Sequence, residues 1–140
     1  LQAMKGAMHT FFVVDTLEYL LQGGRIGRAS HLVGSLLDIK PILTLADGVV
    51  ESHSKARTRR RSLQRMRELV LERVQGLERD KYQLHLGVAH ALCEQEARFL
   101  TESLEAAIEP DRLLFTTNGP AIGVHAGPGS LAVSWTFFQI

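Results

Sequence analysis

The segment Gly123-Val124-His125-Ala126-Gly127-Pro128-Gly129 brackets one histidine with glycines. Glycine reaches backbone conformations closed to other residues and lets the chain approach a ligand closely. A neutral imidazole donates one hydrogen bond and an imidazolium two, so His125 suits a carboxylate or phosphate oxygen. The same pattern fits a surface turn whose histidine meets a neighbouring carbonyl. A second turn, Gly23-Gly24-Arg25-Ile26-Gly27-Arg28, carries two arginines just ahead of an expected helix. Backbone N–H groups at a helix start, with guanidinium groups beside them, form an anion site; a helix C-cap with solvated arginines explains the same residues. The turn lacks the Gly-Lys-Ser/Thr ending of a phosphate loop and the Gly-x-Gly-x-x-Gly of a dinucleotide fingerprint.

A third feature is basic. Lys55, Arg57, Arg59, Arg60, Arg61, Arg65 and Arg67 are seven of the chain's 16 basic residues and leave nine against 15 acidic ones elsewhere. The positive charge is therefore local. Cations in the first turn of a helix oppose the macrodipole at a cost of a few tenths of a kcal/mol each, up to about 1. That conflict favours a binding role, with a solvated charged face as the alternative. An acidic protein surface, a phosphate, an anionic membrane and nucleic acid are the candidate ligands. The last is the weakest, since no aromatic residue interleaves the cluster.

The remaining reactive types form no constellation. His9, His31, His53, His85 and His90 show no metal-ligand spacing. Cys93 begins an expected helix, a position that lowers a thiol pKa, but no histidine base is placed beside it, so it reads as inert. No nucleophile–base pair stands out, and no catalytic residue, metal or cofactor is assigned.

Hydrophobic residues make up 45% and charged residues 22% of the 140, and the net charge is +1. These values describe a globular chain of one domain, not a polyanion binder by bulk charge. One cysteine allows no internal disulfide, which fits a reducing cytoplasm. No apolar run is long enough to span a bilayer. The start at Leu1 fits a fragment or a processed product, and the first few residues read as the tail of a helix.

The elements that must hold these residues alternate. Thr10–Val14 reads as a strand. Asp15 reads as the N-cap of a short helix with Glu18 three residues on, stopped by Gly23-Gly24. A helix is expected over Ala29–Leu37, with Leu32, Val33, Leu36 and Leu37 on one face. Pro41–Leu45 and Val49–Ser52 flank Asp47-Gly48, a hairpin signal. A long helix follows, Thr58–Leu77, with Leu63, Met66, Val70, Val74 and Leu77 in one stripe. Leu84–His90 is a strand, Glu94–Ile108 a helix, and Leu113–Thr117 and Leu131–Phe138 are strands, the last with Trp135 and Phe137 on one face. Asn118–Ser130 is expected to be a loop. The fold class is α+β, a two-layer sandwich of a mixed sheet packed against helices.

Together these motifs resemble the DegV family of bacterial fatty-acid-binding proteins. Phe12-Val13-Val14-Asp15-Thr16-Leu17-Glu18-Tyr19-Leu20 with Gly23-Gly24-Arg25-Ile26 is similar to the family's strand–helix–turn signature. Gly34 through Leu43 with Asp47-Gly48, then Lys55-Ala56-Arg57-Thr58-Arg59, then Gly119-Pro120 with Gly123 through Gly129, follow in the family's order from about Thr10 to the end. The resemblance is to the C-terminal domain alone; the family's N-terminal domain, with the hydroxyl residues that complete its carboxylate site, is absent from this chain. Ala126 departs from the pattern, in which a threonine is common.

The resemblance implies a non-enzymatic cytoplasmic carrier that holds a long-chain fatty acid and presents its carboxylate to a fatty acid kinase subunit for acyl-phosphate formation. It implies carboxylate binding by His125 and Arg25, support from Gly23, Gly24, Gly123, Gly127 and Gly129, and partner docking by Arg57, Arg59, Arg60 and Arg61. Transient membrane contact and self-association through an exposed apolar groove are compatible with it. The rival readings are a phosphate- or nucleotide-binding enzyme subunit and a basic regulatory or nucleic-acid-binding module.

Overall fold

The computed structural model describes residues 7–34 and 39–140. Its elements are β1 (Met8–Val13), α1 (Glu18–Gln22), a 3-10 helix (Gly27–Leu32), β2 (Lys40–Ala46), β3 (Val49–Ala56), α2 (Arg59–Val74), β4 (Tyr82–His90), α3 (Glu94–Ile108), β5 (Arg112–Thr117), α4 (Pro120–Ala126) and β6 (Leu131–Gln139). Six strands form one sheet in the order β3-β2-β1-β6-β4-β5. Neighbours are antiparallel except β4 and β5, whose parallel pairing is made possible by the α3 crossover. The α+β sandwich expected from the sequence is the fold observed.

Alternation along the strands splits the sheet into two faces. On one, Phe11, Val13, Leu86, Val88, Val133 and Trp135 pack under Met66 and Val70 of α2 and Leu100 and Leu104 of α3. This is the main core. On the other face a smaller cluster forms under the short elements, where Leu17 and Leu20 meet Leu43, Val50, Ala29 and Ala126. The rest of that second face has no helix packed over it among the described residues. Its central residues are small, with Gly87, Ala89, Ala132 and Ser134 facing one another across β4 and β6.

The hairpin signal holds in detail. Asp47 and Gly48 both take positive φ, 52° and 78°, as a two-residue turn matched to strand twist requires. Thr58 caps α2, its hydroxyl accepting the Arg61 N–H at 3.2 Å. The helix stops at Val74, short of the expected Leu77, because Gly76 turns the chain at φ 83°. The strands and α3 lie where periodicity places them.

Three expectations are corrected. Asp15 is not the cap of α1: the Glu18 N–H is taken by the Thr16 hydroxyl at 3.2 Å, and the Asp15 side chain is committed to tertiary contacts described below. The helix expected over Ala29–Leu37 is a 3-10 helix ending at Leu32, with Val33 extended; three-residue spacing stacks Ala29 over Leu32, and both are buried. Leu36 and Leu37 lie outside the described residues, as does the expected helix tail at residues 1–6. Within Asn118–Ser130 the chain forms α4, with Pro120 at its first turn. Gly123 and the β-branched Ile122 and Val124 depress helix propensity, and packing of Ala126 into the second cluster outweighs it.

Candidate functional site

The C-terminal ends of β1, β4 and β5 and the start of β6 meet at one end of the sheet. The segments leaving them, Asp15–Gly24 and Pro120–Ser130, pack against each other there. Three glycines make the approach. At Gly23 a side chain would overlap the His125 imidazole, at Gly127 the Tyr19 ring, and at Gly129 the Asp15 carboxylate. Gly127 and Gly129 also take positive φ, 78° and 80°. Contact demands glycine at all three positions, and conformation demands it as well at Gly127 and Gly129.

His125 therefore stands in the last turn of α4 and not in a tight loop, half-buried, with its ring over Gly23. Its Nδ1 is shielded from solvent and has no hydrogen-bond partner among the described residues. Arg25 is exposed, and its Nη1 donates to the Gly23 carbonyl at 2.8 Å. The two residues, 100 positions apart in sequence, thus meet the same glycine. Gly24 is the left-handed stop of α1 at φ 70°, where Arg25 N–H reaches the Leu20 carbonyl at 2.8 Å. Gly123 lies within α4 with open space beside it, and its carbonyl accepts the Gly127 N–H at 2.9 Å.

The arginine cluster divides. Arg57, Arg60 and Arg61 are exposed at the start of α2. Arg59 is not: its side chain is 20% exposed, its Nε donates to Glu96 Oε2 at 2.9 Å, and its Nη1 forms an ion pair with Asp15 Oδ1 at 3.5 Å. This corrects its expected place on the docking surface. A guanidinium held by one carboxylate on α3 and another after β1 joins the helical layer to the end of the sheet. Those partners are 37 and 44 positions distant, so local spacing carries no signal for them. Arg65 pairs with Glu68 and Glu72, and Arg67 Nε donates to Ser103 at 2.5 Å.

Cys93 precedes α3, but burial pushes its thiol pKa up, with the nearby Arg59 charge opposing only in part. Its Sγ donates to the Ser130 carbonyl at 3.4 Å. The helix start does not activate it. Burial, and secondarily the Arg73 charge, push His9 and His53 below their ordinary value of 6.5. These two rings stack on Trp135 and Phe11 on the α2 side, away from His125. Among the described residues no three His, Cys, Asp or Glu side chains gather as metal ligands. No helix there is long and apolar enough to cross a membrane.

Tyr19 and Asp15 are neighbours of the candidate site that sequence reasoning missed. Only the glycines opposite them were visible, and nothing local says what a glycine makes room for. A depression of about 430 Å³ on the uncovered sheet face, lined by Met8, His85, Gly87, Arg112, Leu114 and Thr136, was likewise unseen.

The model of the DegV family, described as uncharacterised proteins, matches residues 1–137. The chain belongs to the DegV family. It is 36% identical to protein DegV of Bacillus subtilis over 138 residues, which are 98% of this chain and 47% of that one. It is 38% identical to a DegV domain-containing protein of Clostridium acetobutylicum over 125 residues, 89% of this chain and 42% of that one. The chain thus spans about half the length of the curated relatives it matches. Among solved structures, the fatty-acid-binding DegV family protein of Streptococcus agalactiae superposes with a TM-score of 0.84 at 30% identity, covering 96% of this chain and 46% of that one. The fatty-acid-binding DegV of Bacillus subtilis gives 0.80 at 34% identity, covering 98% and 47%. The fatty-acid-binding DegV family protein of Thermus thermophilus gives 0.85 at 27% identity, covering 96% and 47%.

Proposed function

We propose that this chain is the C-terminal domain of a DegV fatty-acid carrier, that His125 and Arg25 receive the fatty-acid carboxylate, and that the domain presents it to a fatty acid kinase. The observation that carries the reading is the likeness to three solved relatives, each described as binding fatty acid. The uncovered sheet face supports it. Gly87, Ala89 and Ala132 form a shallow apolar floor, and Leu114 is 64% exposed beside it. Each buried methylene of an acyl chain contributes about 0.8 kcal/mol, so such a floor supplies affinity and the carboxylate needs only a few donors for orientation. The His125 imidazole is the right kind of donor. Gly23, Gly127 and Gly129 let the two segments pack closely, while Gly24 ends α1 and Gly123 lies within α4. The carrier reading assigns no chemistry to the domain and places it in the cytoplasm beside its kinase.

Extraction of lipid from the natural protein containing this chain, purified from bacteria, tests the reading by mass spectrometry. A stoichiometric long-chain fatty acid is expected, and protein free of any acyl chain overturns it. In that protein His125→Ala is expected to weaken fatty-acid binding about ten- to a hundredfold, the worth of one hydrogen bond to a charged group. An unchanged affinity removes His125 from the site.

Arg57, Arg60 and Arg61 are the proposed docking residues, and Arg60 lines one groove with Phe99 of α3, which is 76% exposed. Rim arginines act mainly on the rate of association with an acidic partner. Charge reversal at Arg57 and Arg61 is expected to slow kinase-dependent phosphorylation of the bound acid, more strongly at low salt, with lipid content unchanged. Loss of lipid with normal phosphorylation would mean that the roles are reversed.

A further inference from the structure

One row of side chains crosses the uncovered face at the end of the strands opposite His125. Met8 pairs with Thr136, Thr136 with His85, and His85 with Arg112. All point away from the main core, because their neighbours Trp135, Leu84, Leu86 and Leu113 point into it. His85 Nε2 and Thr136 Oγ1 are both shielded from solvent and both lack a hydrogen-bond partner among the described residues. The Arg112 guanidinium makes no ion pair there either. One row nearer His125, the hydroxyls of Thr10 and Ser134 satisfy each other at 2.9 Å. The contrast matters: the same strands close one polar pair and leave the next open. Other side chains carry shielded atoms without a partner, Trp135 and His90 among them, but among the described residues only His85 and Thr136 stand directly opposite each other across a strand pair, where one group could serve both. Phe138 packs on His85 with ring centroids 4.5 Å apart and walls the position on its far side.

We propose that His85 and Thr136 form a second, oxygen-binding subsite, which takes a hydroxyl group carried on the acyl chain far from its carboxylate. The proposal rests on the fatty-acid reading and adds a preference to it. A hydroxyl suits the pair because it donates one hydrogen bond and accepts another, as a threonine hydroxyl and an imidazole nitrogen both require. Adjacent strands lie about 4.8 Å apart, so one oxygen seated between β4 and β6 reaches both side chains. Thr136 lies six residues along β6 from Ser130, which adjoins the His125 end, a distance of about 20 Å at strand rise. An extended stearic acid chain only just covers that distance, so the hydroxyl recognised is near the methyl end. A plain methylene at this place would leave both polar atoms unpaired and dry, so the row selects against an unmodified chain as well as for an oxygenated one. Arg112 stands at the exposed rim, where it tolerates the same oxygen without being needed for it.

The test is competition binding to the natural protein containing this chain, with stearic acid set against mid-chain and ω-hydroxystearic acids. At least one hydroxylated acid is expected to bind about tenfold tighter than stearic acid, the yield of one well-placed hydrogen bond. Thr136→Val, nearly the same shape without the hydroxyl, is expected to abolish that preference, and Thr136→Ser to keep it. His85→Phe is the second variant, with circular dichroism to show that each is folded. Equal binding of stearic and every hydroxylated acid by the unaltered protein overturns the subsite while leaving the carrier reading in place, and so does a preference that survives both Thr136→Val and His85→Phe. Binding of none of the acids overturns the carrier reading and the subsite with it.

Discussion

Trp135→Ala is expected to lower the free energy of unfolding by about 3–5 kcal/mol, the usual cost of deleting a large aromatic side chain from a core. The indole is 2% exposed. It lies 5.3 Å from the Phe11 ring and stacks at 5.4 Å on His9, so its removal leaves a void between β6 and β1. Its Nε1 has no hydrogen-bond partner among the described residues, which makes the loss one of packing and not of a polar contact. Trp135→Phe should therefore recover most of the stability. Urea unfolding followed by far-ultraviolet circular dichroism measures both, since the chain's one tryptophan is the residue removed. A cost under about 1.5 kcal/mol for the alanine variant, the range of tolerated core swaps, would mean that the void collapses or that the ring is not core.

Gly129→Ala is expected to cost about 2–4 kcal/mol, because two penalties fall on one atom. The left-handed conformation at φ 80° costs an ordinary residue about 1–2 kcal/mol. The new methyl group would also overlap the Asp15 carboxylate, and crowding of that kind adds about 1–3 kcal/mol. Gly24→Ala separates the two, since φ is 70° there but nothing lies within 4 Å. It should cost only the backbone share. If the two variants are equally stable, Asp15 yields without resistance and the packing of the two segments is looser than their geometry indicates.

Where a structural signal is periodic it was legible. Leu63, Met66, Val70 and Val74 define α2 by spacing alone, and Asp47-Gly48 defines the hairpin because few residue pairs accept two positive φ angles. The resemblance in ordered motifs also led to the right family. What stayed hidden is long-range. Gly127 and Gly129 stand out as glycines, but Tyr19 and Asp15, the groups they admit, are over 100 residues away. Arg59 reads as one of a run of equal cations, and only the fold sets it apart by bringing Glu96 and Asp15 to it. The α4 helix was masked by its own composition, since tertiary burial of Ala126 decides what propensity would deny. His85 and Thr136 are unremarkable singly and become neighbours only through the register of β4 and β6.

The order of the strands has a consequence for the making of the protein. The sheet consists of β3-β2-β1 on one side and β4-β5 on the other, joined by β6 alone. During synthesis β6 leaves the ribosome last of these elements, after every strand it must bridge. Until then β1 can pair only with β2 and β4 only with β5, so the edges that β6 fills, along Val13 and Val88 among others, stay open. Such exposed strand edges attract chaperones or neighbouring nascent chains. The two parts of the sheet are thereby joined only once Leu131–Gln139 has been made, and a chain that stops before Leu131 lacks the one strand that bridges them.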